Sequence, residues 1–174
     1  PEDGGVALHD RISVRNVSAP ENVRLDLAEA LEDRIYLPDG QTPDFALDVT
    51  VRERAERLAV QLDDTTTRYN YRLSGRFSLI NLKTGERFDG NANSISSYNI
   101  VASTYSTLFA ERTAQEKAAR QLAVEIEREI LLAMADDSEA WREITPQEDQ
   151  DALDALPLGS TSEEEVITIG DQGR

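Results

Sequence analysis

The chain has 174 residues, with 18 Lys and Arg against 34 Asp and Glu, a formal net charge of -16, 39% apolar residues, no Cys and one His. Without Cys there is no disulfide framework, thiolate zinc site, iron-sulfur centre or thiol nucleophile, and the lone His9 cannot build a His-rich metal centre. The negative charge repels nucleic acid at long range, so no nucleic-acid partner is expected. The longest purely apolar run, Ile130 to Ala135, is six residues, far short of the roughly 20 that span a bilayer.

The chain opens at Pro1 with neither Met nor a signal-peptide hydrophobic region, so a processed or truncated form is expected. Residues 1–10 read as a flexible N-terminal segment. From Arg11 to Val17 polar and apolar residues alternate, the pattern of a strand buried on one face. Ser18, Pro20 and the acidic Glu21 form a helix-start signature, and Val23, Leu27, Ala30, Leu31 and Ile35 follow at helical spacing until Pro38 and Gly40. This predicts an amphipathic helix over about 20–36.

Alternation returns at Phe45: Phe45, Leu47, Val49 and Val51 share one face, and Asp48, Thr50, Arg52 and Arg54 the other. Near Ala55-Glu56-Arg57 the phase resets to Leu58, Val60 and Leu62, as at a bulge or bend, and Asp63-Asp64-Thr65 supplies a turn. The next run has the clearest pattern in the chain. It sets Tyr69, Tyr71, Leu73, Gly75, Phe77 and Leu79 against Arg68, Asn70, Arg72, Ser74, Arg76 and Ser78. Lys83-Thr84-Gly85-Glu86 is a short hairpin connection, and Phe88, Gly90, Ala92, Ser94, Ser96 and Tyr98 continue the apolar face on the return strand.

Beyond Val101 the period becomes helical, with Leu108, Ala118, Ala119, Leu122, Ile126, Ile130 and Ala133 on one stripe of a helix over about 104–135. Such a helix is ~45 Å long, matching the hairpin strands in length. The small Ala114, Ala118, Ala119 and Ala123 allow its axis close to the aromatic row of Tyr69, Tyr71 and Phe77. Every element is apolar on one side only. The expected fold is therefore α+β, a two-layer sandwich in which two helices cover one face of a four-stranded, mostly antiparallel sheet in the order β-α-β-β-β-α.

Residues 11–135 thus form the α/β sandwich domain. Composition changes near residue 136: residues 1–135 carry a net charge of -6 and residues 136–174 a net charge of -10. Pro146, Pro157 and Gly159 interrupt any period there, so 136–174 reads as an acidic, extended or disordered C-terminal tail.

Catalytic chemistry finds little support. His9 is the one imidazole base available to Ser or Thr, and there is no phosphate-binding glycine loop, HExxH or EF-hand pattern. No metal or cofactor is implied, and a non-enzymatic protein is expected. What stands out is a row of arginines, Arg68, Arg72 and Arg76, joined by Arg52 and Arg54 on the preceding strand. Alternation places them on the sheet face away from the helices, where guanidiniums can hold phosphates or carboxylates in bidentate fashion. The plainer reading is a solvated face neutralised across strands by Asp48 and Asp89. Tyr98, Asn99 and Tyr105 lie in a second polar stretch, Ser94 to Ser106, whose plainer role is a strand end and helix cap.

Arg68-Tyr69-Asn70-Tyr71-Arg72-Leu73, Ser97-Tyr98-Asn99, Tyr105, Ala110-Glu111-Arg112 and Ala118-Ala119-Arg120-Gln121-Leu122 ahead of Ile126 resemble the lipopolysaccharide-assembly lipoprotein family LptE over about residues 11–135. The resemblance implies a non-enzymatic lipoprotein at the periplasmic face of the outer membrane, tethered through an N-terminal lipidated Cys that this sequence lacks. It implies a plug within the β-barrel LptD that assists assembly of that barrel and contacts lipopolysaccharide. The family's basic residues implicated in lipopolysaccharide binding lie in the loop after the second strand and at the start of the last helix. Here those places read Asp63-Asp64-Thr65 and Ser103-Thr104-Tyr105-Ser106. Arg52, Arg54, Arg68, Arg72, Arg76, Tyr98, Asn99 and Tyr105 are therefore binding candidates from patterning, not a transferred site. The alternative is a periplasmic ligand- or peptide-binding module using the same exposed sheet face.

Overall fold

Strict period-two alternation along three long segments requires a sheet with one face covered, and the helical stripes supply the cover. The computed structural model describes residues 11–60, 67–101, 103–135 and 142–143. The elements are β1 (Ile12–Ser18), α1 (Glu21–Arg34), β2 (Phe45–Val60), β3 (Thr67–Asn81), β4 (Glu86–Ile100), α2 (Thr104–Ala135) and β5 (Arg142–Glu143). The N-terminal segment 1–10, the Asp63-Asp64-Thr65 turn and all of the tail except Arg142 and Glu143 lie outside the described residues.

The expected order β-α-β-β-β-α is present, in a mixed sheet ordered β1-β2-β3-β4-β5. β1 runs parallel to β2 through the α1 crossover, and the remaining pairings are antiparallel. The two-residue β5, which pairs Glu143 with Glu86 and Arg142 with Arg87, was not expected. Two residues carry too little pattern to announce a strand.

α1 begins without a side-chain cap, and Ser18 closes β1 instead of capping the helix. The first turn is tied by the Pro20 carbonyl, which accepts from the backbone N–H groups of Val23 and Arg24 at 3.1 and 3.0 Å. The phase reset of β2 is a bulge one residue later than its sequence suggests: register shifts between Arg57 and Ala59 against β3. The hairpin connection takes Gly85 at φ 77°, a left-handed conformation that favours Gly. No helix among the described residues is long and apolar enough to cross a membrane.

One core lies between the layers. Leu47, Val49 and Val51 of β2, Tyr71, Leu73, Phe77 and Leu79 of β3, and Ala92 of β4 meet Val23, Leu27 and Leu31 of α1 and Ala118, Ala119, Leu122, Ala123, Ile126 and Ile130 of α2. Each large aliphatic side chain buried there contributes about 1.5–3 kcal/mol. Ser94, buried on the same face, donates to the Ala118 carbonyl at 2.7 Å and so fixes α2 over β4. Leu108 departs from the expected stripe. It is 60% exposed, because the fully buried stripe of α2 begins only at Ala114.

The tip of the Phe77 ring occupies the space beside Gly90, its cross-strand neighbour. A Cβ at residue 90 would stand 2.6 Å from Phe77 Cε1. Gly90→Ala is therefore expected to lower stability by about 1–3 kcal/mol through overpacking. It should appear as a lower urea midpoint at unchanged slope, and an unchanged midpoint would contradict this packing.

Candidate functional site

Side chains of a strand alternate between faces, so the residues packed on the helices decide which residues look outward. Arg52 and Arg54 of β2, Arg68, Arg72 and Arg76 of β3, and Asn99 of β4 all lie on the sheet face opposite the helices. Register brings four of the arginines together. Arg54 stands directly opposite Arg72, while Arg52 is opposite Ser74, diagonally between Arg72 and Arg76. Arg68 lies one repeat further along β3, ~13 Å from Arg72, and opposite Asn99. The face is thus a quartet of guanidiniums with a fifth at its end, floored on β4 by Asn91, Asn93, Ile95 and Ser97.

The carboxylates expected to neutralise this face are engaged elsewhere. Asp48 is held by Arg15 of β1, with Nε to Oδ1 at 2.9 Å. Asp89 accepts from Arg87 Nε at 3.0 Å and from the Ser78 hydroxyl. Arg54 pairs with Glu56 at 3.0 Å. Arg52, Arg68, Arg72 and Arg76 have no ion-pair partner among the described residues. Two arginines directly across a strand pair repel each other, so the quartet favours an anion between them.

Tyr98 and Tyr105 stand apart from the arginines. Tyr98 faces the helices, buried and stacked on Tyr69 with centroids 5.7 Å apart. Tyr105 is 80% exposed in the first turn of α2, beside exposed Leu108 and Phe109. Of the polar stretch, Ser94 and Ser96 are buried under the helices, and Ser103 accepts from the Ser106 backbone at 3.4 Å as a cap for α2.

A polar network on the helix side escaped the sequence reading. Glu53 accepts from the Tyr71 hydroxyl and from Asn22 Nδ2, the latter at 2.9 Å. Arg112 of α2 then donates to the Asn22 carbonyl at 2.6 Å and pairs with Asp26 at 2.9 Å, tying α2 to α1 and through it to β2. The available signal was Glu53 itself, a carboxylate at a position in phase with Val49 and Val51. No group of three His, Cys, Asp or Glu among the described residues could hold a metal.

Burial raises the Tyr71 phenol above its ordinary value, helped by the Glu53 carboxylate. Burial likewise raises Tyr98, with Glu111 and Tyr69 adding to it. A group whose pKa is higher folded than unfolded contributes stability below the unfolded value, about 10 for Tyr, and loses it as pH rises through the folded value. In an ultraviolet titration of the five tyrosines, Tyr71 and Tyr98 should ionise only above the ordinary range, coincident with alkaline unfolding. Tyr71→Phe should remove part of that late signal. A single transition at the ordinary tyrosine value would contradict the burial of both.

The sequence model of the family described as LptE, lipopolysaccharide-assembly, matches residues 10–131, from β1 through most of α2. No curated protein matches the chain. Among solved structures, the chain resembles one described as a lipoprotein of Caulobacter crescentus, with 23% identity over 76% of this chain and 96% of that one and a TM-score of 0.60. A minor lipoprotein of Acinetobacter baumannii shares 16% identity over 79% of this chain and 98% of its own, with a TM-score of 0.51. The rare lipoprotein B of Shewanella oneidensis shares 11% identity over 70% and 98%, also at 0.51. These likenesses are of fold, two helices on one face of a mixed sheet. With the family match spanning β1 through most of α2, the chain belongs to the LptE lipopolysaccharide-assembly family.

Proposed function

We propose that this protein is a non-enzymatic lipoprotein at the periplasmic face of the outer membrane, where it plugs the β-barrel LptD, assists its assembly and contacts lipopolysaccharide. A lipid carried N-terminal to Pro1 anchors it. The observation that carries this reading is the family match over residues 10–131, which takes in β1 to β4, α1 and most of α2.

The physical chemistry of the open face supports the lipopolysaccharide contact. Lipopolysaccharide is a phosphorylated glycolipid, and guanidiniums bind phosphate and carboxylate in bidentate geometry. Arg52, Arg72 and Arg76 present such donors on a rigid strand pair, and Asn99 adds an amide beside Arg68. Exposed Tyr105, Leu108 and Phe109 supply an apolar contact at the start of α2, where a barrel wall or acyl chains can cover it. The domain at work is residues 11–135, and the sequence that follows it is strongly acidic. The mechanism is non-covalent: the plug fills and steadies its partner while presenting cations to the glycolipid.

Photo-crosslinking in cells tests it. A photoreactive residue in place of Asn93, on the open face, or of Tyr105 should capture a large outer-membrane β-barrel. Adducts with no barrel from either position would overturn the plug reading and favour a free ligand-binding module.

A further inference from the structure

β1 pairs with β2 only from Phe45 to Thr50, yet β2 continues to Val60. Along that extension one edge of β2 is bonded to β3, and no strand among the described residues lies against the other. Arg52, Glu53, Arg54, Ala55, Arg57 and Leu58 are all exposed. An open edge of this length is a template for another strand. Natural edges are commonly blunted by charge, but charge of alternating sign blocks only some registers.

We propose that, when free of the barrel, two copies of this chain dock antiparallel along Arg52–Leu58, with a two-fold axis through Ala55 that joins the two sheets into one. The charge sequence singles out this register. With both helix layers on the same side of the joined sheet, the axis must pass through a residue, because side chains alternate between faces. An axis through Glu53, Arg54, Glu56 or Arg57 sets that charged residue against its own copy. An axis through Ala55 sets Ala55 against the partner's Ala55. It also sets Glu53 against the partner's Arg57, and Arg54 against the partner's Glu56. Each copy then makes two opposite-sign contacts and no like-sign one, whereas registers with the helix layers on opposite sides give each copy at most one.

The edge suits this contact in two further ways. Glu53 holds Tyr71 and Asn22 through Oε2, so its other oxygen remains for the partner's Arg57. Arg54 and Glu56 already pair at 3.0 Å within one edge, so two such edges join into a four-membered network on the open face. The contact is isologous and self-limiting, as a closed two-fold dimer requires. It ends where β1 begins to cover β2, so sheet growth stops at two copies.

Sedimentation equilibrium of the full chain at about 0.15 M salt, where the Debye length is ~8 Å and the overall negative charge is screened, reads the proposal directly. The unaltered chain should dimerise. Arg54→Glu and Glu56→Arg each set like charges across the axis and should each weaken the dimer about 100-fold, with circular dichroism showing both folded. An equimolar mixture of the two variants restores opposite charges at every contact and should recover a heterodimer. A chain monomeric throughout, a dimer indifferent to Arg54→Glu, or a mixture that stays monomeric would each overturn the proposal.

Discussion

Leu73→Asp is expected to abolish the cooperative unfolding transition. Leu73 is fully buried at the centre of β3, on the helix-facing side and opposite Ser94 of β4. Its β2 neighbour in register is Glu53, whose carboxylate is already committed to Tyr71 and Asn22. The substitution removes a large apolar side chain, which costs about 2–5 kcal/mol. It also places an unpaired carboxylate among apolar groups and beside a like charge, costing several kcal/mol more. Domains of this size are stable by about 5–15 kcal/mol. Ser74→Asp is the control, one residue along but on the open face and opposite Arg52, where surface substitutions stay within about 0.5 kcal/mol. A cooperative thermal transition retained in Leu73→Asp would show that the assignment of faces is wrong.

Reversing Arg68, Arg72 and Arg76 together to Glu should leave the fold intact and largely remove binding to vesicles containing lipopolysaccharide. These side chains point away from the core and bridge to no carboxylate among the described residues, so stability has little to lose. A cation near an anionic surface is worth about 1 kcal/mol, and reversal replaces each attraction by repulsion. The combined loss should be about 100-fold or more in affinity, and the residual binding should lose its salt dependence. Unchanged binding with a normal melting transition would return the arginines to the role of a solvated surface.

The alternation of β3 was legible because twelve consecutive residues, Arg68 to Leu79, keep an unbroken choice of face, and a half-buried strand leaves no other solution. The bounds of α2 were legible for the analogous reason. The open face needed more than hydropathy. Which carboxylate meets which guanidinium depends on strand neighbours: Asp48 turns to Arg15 because β1 lies parallel beside β2, a pairing no single-strand pattern contains. The same register creates the Arg52, Arg54, Arg72 and Arg76 quartet.

Other differences have local causes. Tyr98 and Asn99 are sequence neighbours and so must occupy opposite faces of β4, which separates them as site residues. Leu108 matches the helical period of α2 but lies before its first fully buried residue, Ala114, and periodicity says which side faces inward, not where full burial starts. Glu53 shows the converse, a charge in phase with the core that survives at the rim because Tyr71 and Asn22 satisfy it.

The most direct test of the central claim is affinity purification of the full-length lipoprotein from detergent-solubilised outer membranes, with identification and quantitation of what remains bound. The account expects a large β-barrel in one-to-one ratio with the lipoprotein. Recovery of the lipoprotein without any barrel, under conditions that keep outer-membrane complexes intact, would contradict it.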